Sequence, residues 1–378
     1  MNLLEVQAYL ESRKSIMLDT LSELVSMESP SRDKERLDRL ARHLASQFQS
    51  LGASVQMIPN EVGGDHLLLS FGASTPAPPA LALAHFDTVW PYGTILNQPF
   101  RIEGTRAYGP GTYDMKASLV LLQEALLAIR EGQLPLKREV RILLTSDEEI
   151  GSPTSRALIE STARGCAFAL VPEPPLPEGQ LKTSRKGVGA YQVEVEGKAA
   201  HAGVEPEKGI NAINELAFQI PRILKLANPS LGSTLNVGVI EGGTTSNVVP
   251  AHASAKIDVR VTTLSEANRI HEGFQCLTPI TPGTKLVLSG RINRPPMERT
   301  PAIVQLFEQA RTVGRLLGLE LEEGSTGGGS DGNFTAAIGI PTLDGLGVPG
   351  AGAHAINEHI LIDKMPQRSA LLTGLLLQ

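Results

Sequence analysis

A chain of 378 residues, 41% hydrophobic and 20% charged, is longer than one domain usually needs and can build its core without disulfides. A net charge of -6, no basic stripe and only 4% aromatic residues argue against nucleic-acid binding. No stretch approaches the ~18 continuous apolar residues of a membrane span, and Met1-Asn2-Leu3-Leu4-Glu5-Val6-Gln7 places no basic region ahead of an apolar one. A cytoplasmic protein is expected, with Cys166 and Cys276 as two buried reduced thiols.

Helical spacing runs from about residue 3 to 51, broken at Ser29-Pro30-Ser31. Short apolar runs follow at 80–85, 140–145 and 167–171, with a helical pattern at 115–130 between the first two. Runs of that kind, bounded by Gly and Pro and separated by helices, predict a sheet with crossover helices. Composition shifts at the Pro- and Glu-rich segment 172–179. Beyond it, residues 191–196 and 253–260 alternate as half-exposed strands, while 210–226 and 265–274 are spaced as helices. This predicts a compact α+β insert. After Arg291-Ile292-Asn293-Arg294-Pro295-Pro296 the first pattern resumes. The expected fold is therefore α/β: a catalytic domain with a mixed sheet flanked by helices, formed from 1–180 and 290–378, and an inserted α+β domain at 181–289.

Polar groups stand just past the apolar runs, where open α/β sheets bind ligands. Ala84-His85-Phe86-Asp87 puts His85 and Asp87 on the same side of a strand end, so a carboxylate can hold one ring nitrogen of a ligand histidine. Gly109-Pro110-Gly111-Thr112-Tyr113-Asp114 builds a tight turn from which Asp114 opens a helix. Asp147-Glu148-Glu149 sets three acids in a row, which need solvent, partners or cations. One can bind a metal while its neighbour acts as general base. Glu173 follows the run 167–171, and His354 sits among small residues. Each has an ordinary explanation taken singly, as a loop His, a capping Asp or a solvated acid. Together, two His and several carboxylates suit zinc or cobalt better than calcium, and a pair of ions would need a bridging carboxylate such as Asp114. Two other patterns fit less well. Gly328-Gly329-Ser330-Asp331-Gly332 matches a nucleophile elbow, with Asp344 and His354 following in order, but no apolar strand leads into it. Gly345-Leu346-Gly347-Val348-Pro349-Gly350 matches a dinucleotide fingerprint, but no clear helix follows.

Taken together, these motifs resemble the dinuclear zinc metallopeptidase family of the carboxypeptidase G type, aminoacylases, acetylornithine deacetylase and succinyl-diaminopimelate desuccinylase, and are most similar to the carboxypeptidase G branch. Pro99-Phe100-Arg101-Ile102-Glu103-Gly104 and Gly197-Lys198-Ala199-Ala200-His201-Ala202-Gly203 add to the likeness. The resemblance implies a metal-dependent hydrolase that cleaves the amide bond of a C-terminal or N-acyl amino acid through a metal-activated water. It implies two Zn2+ per chain, with Co2+ or Mn2+ as substitutes. Asp114 would bridge them, His85 and Glu173 would complete one site, and Glu149 and His354 the other. Glu148 would be the general base and Asp87 would orient His85. The insert would serve as lid and dimerisation surface of a homodimer, with His201, Asn247 and Arg260 binding the small-molecule substrate and Gly329 offering a backbone donor. Where glutamate-specific members carry Lys and Ser, this chain has Gln and Lys, so Lys182 or Arg185 is the candidate to meet a substrate side-chain carboxylate.

Overall fold

The computed structural model describes residues 1–72 and 75–378. The chain opens with helices α1 (Leu3–Ser12), α2 (Lys14–Ser26) and α3 (Lys34–Ser50). Next come β1 (Ser54–Ile58), β2 (His66–Phe71), β3 (Ala80–His85), α4 (Thr94–Asn97), β4 (Arg101–Glu103) and β5 (Arg106–Tyr108). They lead to α5 (Ala117–Glu131), β6 (Val140–Thr145), α6 (Arg156–Ala163), β7 (Phe168–Val171) and β8 (Leu181–Arg185). Then follow β9 (Gly187–Glu196), α7 (Ala212–Leu224), β10 (Thr234–Gly242), β11 (His252–Val261), α8 (Leu264–Gln275) and β12 (Lys285–Arg294). The remainder is α9 (Pro301–Leu316), β13 (Glu323–Thr326), α10 (Gly332–Ala337), β14 (Thr342–Asp344), β15 (Gly350–Ala351), β16 (His359–Leu361) and α11 (Met365–Leu376). Among the described residues no helix is long and apolar enough to cross a membrane.

Two compact units result. Unit 1 is Met1–Ser184, Arg299–Thr326 and Ser330–Gln378; unit 2 is Arg185–Glu298 with Gly327–Gly329. The expected boundaries at 181 and 289 therefore shift. Leu181 donates its N–H to Glu322 O at 2.9 Å, and β8 lies in the large sheet of unit 1. At the other end β12 pairs with β9 along its length, which carries the insert on to Glu298.

Unit 1 is built on an eight-stranded mixed sheet ordered β1-β2-β6-β3-β7-β14-β8-β13. Its centre is parallel: β3 runs with both β6 and β7, and β14 runs with β7. The alternation in β3 shows why. Leu81 and Leu83 pack with Ile159, Ala163 and Phe334 on the α6 and α10 face. Ala80, Ala82 and Ala84 belong to the core that includes α5 and α11, where small side chains allow close packing. Helix α5 is buried almost all round: apolar residues surround its axis, and the buried Gln123 and Glu124 are bonded to Gln47 and Arg13. A small four-stranded sheet, β15-β16-β5-β4, ties the 350–361 segment to the glycine-rich turn.

Unit 2 is an antiparallel sheet ordered β10-β11-β9-β12 with α7 and α8 against it. Alternate residues of β9 point into its core, where Tyr191 stacks on Phe274 at 4.1 Å. Both cysteines are free, but Cys276 is exposed rather than buried. It caps α8 beyond Phe274, the last inward residue of that helix.

The two units hold separate hydrophobic cores. Arg185 and Met297, near the ends of the insert, exchange both backbone hydrogen bonds at 3.0 Å, so a short linker can join the chain there. Replacing 185–298 by a Gly/Ser linker is expected to leave a unit 1 that unfolds cooperatively by calorimetry. A product that binds hydrophobic dye and melts without a transition would show that the cores depend on each other.

Candidate metal centre

The carboxyl ends of the parallel strands deliver the acidic and imidazole groups to one place. His85 closes β3 with 1% of its side chain exposed. Its Nδ1 lies 3.1 Å from the Asp87 carbonyl and 3.4 Å from Asp87 Oδ1. With Nδ1–H turned to Asp87, Nε2 faces Asp114 Oδ1 at 3.2 Å and Glu173 Oε1 at 3.4 Å, and when protonated it donates to them. Asp87 is fully buried and also accepts the backbone N–H of Glu148 at 3.1 Å and of Glu149 at 3.2 Å. One carboxylate thus orients a histidine and fixes the two acids that follow β6.

The three consecutive acids divide. Asp147 turns away from the cluster and accepts from the backbone and hydroxyl groups of Thr154 and Ser155. Glu148 and Glu149 join the cluster. Donor atoms of His85, Glu148 and Glu173 lie within 4.8 Å of one another, and so do those of His85, Asp114 and Glu149. His354 comes from the 350–358 loop, with Nε2 3.1 Å from Glu149 Oε2 and 3.4 Å from Asp114 Oδ2.

Asp114 does not open a helix, as the sequence suggested. It sits in a wide turn at φ -120°, ψ 92°, and α5 begins at Ala117 with Lys116 as its uncapped N-cap. The carboxylate is spent on no cap and stands between the two imidazoles. Lys116 is buried and donates to the carbonyls of Leu24 at 3.0 Å and Met27 at 2.9 Å, securing the turn to the end of α2. Burial pushes its ammonium down to about 7. Gly347 donates to the Glu173 carbonyl at 2.9 Å. A Cβ at Gly347 would meet the Pro172 carbonyl at 2.5 Å, so only glycine lets the chain approach closely enough to hold Glu173.

Electrostatically the cluster is short of positive charge. Burial pushes Glu149 up to about 7, and its Oε1 is buried with no hydrogen-bond partner. Burial also works against the Asp114 anion, but hydrogen bonds from His354 and His85 outweigh it and hold that carboxyl below its usual range. Bonding to Asp114 and Glu149 raises His354 to about 10. Burial disfavours the His85 cation, yet Asp114, Asp87 and Glu173 raise it well above its ordinary value. An orphaned carboxylate oxygen and a mixed N/O donor set are what a divalent ion of the zinc, cobalt or manganese kind satisfies, so these residues fit such a group.

The other expected site residues lie in unit 2. Ala202 N–H donates to the Asn247 carbonyl at 2.9 Å, so the His201 and Asn247 loops are bonded together, and His201 Nδ1 accepts from Gly203 N–H at 3.1 Å. Arg260 forks onto Asp258 with two bonds of 2.9 Å and donates to the Gly327 carbonyl at 3.2 Å. Arg185 donates to the carbonyls of Gly328 and Gly329. The turn expected to offer the Gly329 donor is thus anchored in unit 2. Sequence reasoning missed Glu358, whose buried carboxylate accepts from the 111–114 turn and from Trp90. Nothing in its polar surroundings at Asn357-Glu358-His359 announces it.

The model for peptidase family M20/M25/M40 matches residues 81–378. Carboxypeptidase G2 of Pseudomonas sp. (strain RS-16) is 28% identical over 373 residues, covering 96% of this chain and 88% of that one. Succinyl-diaminopimelate desuccinylase of Dechloromonas aromatica is 30% identical over 366 residues, covering 89% and 92%. Among solved structures, an aminopeptidase PepT from Bacillus cereus superposes with a TM-score of 0.81 at 23% identity, covering 96% and 98% of the two chains. A family metallo-carboxypeptidase from Sulfolobus solfataricus gives 0.74 at 20% identity, covering 96% and 98%.

Neither alternative motif forms a site. Ser330 is fully buried and donates to Asp344 Oδ2 at 2.7 Å, and the segment after Gly345 runs into β15 rather than a helix. Ser330→Ala is expected to keep hydrolytic turnover and to lower stability by about 1–3 kcal/mol, measured by urea unfolding, for the hydrogen bond lost at a buried carboxylate. Turnover that collapses while the fold holds would make Ser330 the nucleophile.

Proposed function

The chain belongs to peptidase family M20/M25/M40 and is a metal-dependent hydrolase of amide bonds; from that premise we propose that it cleaves an amide next to a free carboxylate, using two Zn2+ held in unit 1. The observation that supports this most is the convergence of His85, Asp114, Glu148, Glu149, Glu173 and His354 in one cluster, in which Glu149 keeps a buried Oε1 with no hydrogen-bond partner. In this reading Asp114 would be the ligand shared by the two ions, His85 and Glu173 would help hold one, and Glu149 and His354 the other. Co2+ or Mn2+ suit the same donors.

When bound, the ions supply Lewis acidity toward the scissile carbonyl and the attacking water. The chain supplies proton transfer and orientation. Glu148 takes one proton from the water as its oxygen adds to the carbonyl carbon. The C–N bond then breaks, Glu148 passes that proton to the leaving nitrogen, and an acid and an amine depart. Asp87 keeps Glu148 in place through its backbone N–H and keeps the His85 ring in one orientation.

Unit 2 is assigned the substrate. Arg260 suits a bidentate carboxylate clamp, and a substrate carboxylate would compete for it with Asp258, which is 44% exposed. By the resemblance His201 would steady the developing oxyanion at a partner subunit's centre, Asn247 would add a polar contact and Gly329 a backbone donor. Arg185 donates from one guanidinium nitrogen to the carbonyls of Gly328 and Gly329, and Lys182 or Arg185 stays the candidate for a substrate side-chain carboxylate. A deacylase with another acyl preference is the second reading, favoured by the similarity to a desuccinylase.

A homodimer through unit 2 is the proposed assembly. Strand β10 is an edge of its sheet, with Val239 and Ile240 exposed, and α7 exposes Ile213, Phe218 and Leu224. Two free cysteines suit a reducing cytoplasm.

Glu148→Ala is expected to keep its metal by elemental analysis while kcat falls by about 10²–10⁴-fold. Near-normal turnover would place the base elsewhere. On the unaltered protein, about two zinc ions per chain and chelator-sensitive cleavage of N-acyl amino acids are expected. Activity that survives removal of all metal would sink the dinuclear reading, and the preferred acyl and amino groups decide between carboxypeptidase and deacylase.

A further inference from the structure

Glu358 lies four residues beyond His354 and is 2% exposed. Its carboxylate accepts four N–H groups. Trp90 Nε1 at 2.7 Å and Gly111 N at 2.8 Å reach Oε2; Tyr113 N at 2.9 Å and Asp114 N at 3.0 Å reach Oε1. These donors fill about the four lone-pair sites a carboxylate has. Its own carbonyl accepts from Gly109 N–H at 3.3 Å.

The 111–114 turn needs such a partner. Gly111 stands at φ 72°, Asp114 and Met115 have non-helical dihedrals, and no side chain of the turn caps its N–H groups. Left unpaired in the interior, those donors would disfavour this conformation. Glu358 collects three of them on one rigid group, while Trp90 pins the far side of the same carboxylate. The 350–358 loop therefore grips Asp114 twice: Glu358 at its backbone N–H, and His354 at Oδ2, 3.4 Å away.

We infer that Glu358 is a positioning residue that fixes the turn so that the Asp114 carboxylate faces both His85 and His354. The inference rests on the reading of Asp114 as the bridging ligand. Glutamine at 358 conserves volume but sets an NH₂ against N–H donors, so the turn loses acceptors and Asp114 loses its direction.

The test compares the unaltered protein with Glu358→Gln, measuring Zn2+ affinity by competition with a chromogenic chelator, kcat and KM on the best N-acyl amino acid, and thermal unfolding. Expected is a folded variant whose Zn2+ affinity drops about 10–100-fold, the usual effect of losing a partner behind a metal ligand. Its kcat should fall and its KM should hold, because the substrate contacts lie elsewhere. A folded variant with unaltered Zn2+ affinity and kcat overturns the inference and leaves the metal reading intact, even if its melting temperature falls. An unaltered protein that takes up no Zn2+ overturns both. Should Glu358→Gln fail to fold, Trp90→Phe removes one donor from the same carboxylate and leaves the turn alone. A smaller loss of Zn2+ affinity supports the inference; unaltered affinity in that variant overturns it.

Discussion

Carboxylates repel one another, and unit 1 gathers five of them, Asp87, Asp114, Glu148, Glu149 and Glu173, around two imidazoles at the edge of a buried sheet. Burial removes the water that would screen them. The rest of the unit answers that constraint. Asp87 accepts two backbone N–H groups and faces a histidine, and the Asp114 carboxylate faces two histidines. His85 and His354 are drawn toward their cationic forms. Glu149 keeps a bare oxygen and is pushed toward neutrality. Metal cations would relieve in one stroke what the protons relieve in part.

The backbone explains how the groups can be held so close. Three parallel strands end side by side, and β3 has β6 on one side and β7 on the other, so the chain leaves the sheet in opposite directions around His85. That is where open α/β sheets form a crevice. The loops leaving the strands are tied to each other rather than to solvent. Asp87 bonds the start of the Glu148 turn, Gly347 bonds behind Glu173, and Thr88 pairs with Ser29 through a backbone bond of 2.8 Å. Positions separated by up to 269 residues (His85 and His354) thus share one rigid frame.

Much of this was legible because burial and periodicity write themselves into sequence. An apolar run such as Ala80–His85 that breaks into His and Asp signals both a strand and the polar edge of a sheet. What escaped lacks such a signature. The sheet β15-β16-β5-β4 has strands of two or three residues, too short to show alternation, yet it brings Glu358 to Asp114. A glutamate in a polar loop looks the same whether solvated or surrounded by amides. The insert boundaries slipped because β8 and β12 are chosen by their pairing partners, not by their own residues. Asp114 looked like a helix cap because Gly and Pro precede it; the turn's dihedrals, set by tertiary contacts, give it another use. Ser330 carried the local pattern of a nucleophile without the strand that should lead into it, and its burial against Asp344 agrees with setting it aside.

The distribution of these residues between the units has a consequence for how activity diversifies. All seven groups of the centre belong to unit 1, and their geometry is over-determined by sheet, loops and mutual bonding. The residues assigned to substrate belong to unit 2, Arg260 on a strand and His201, Asn247 and Gly329 in its loops. In the proposed reading, a change at Arg260, Asp258 or the Gly327–Gly329 turn would alter which carboxylate or acyl group is held and leave the donors of unit 1 in place. Changes within the centre have no such freedom, since moving Asp114 shifts both imidazoles and moving Asp87 shifts His85, Glu148 and Glu149 together. In the proposed reading the chemistry would be the fixed quantity in this architecture and specificity the variable one.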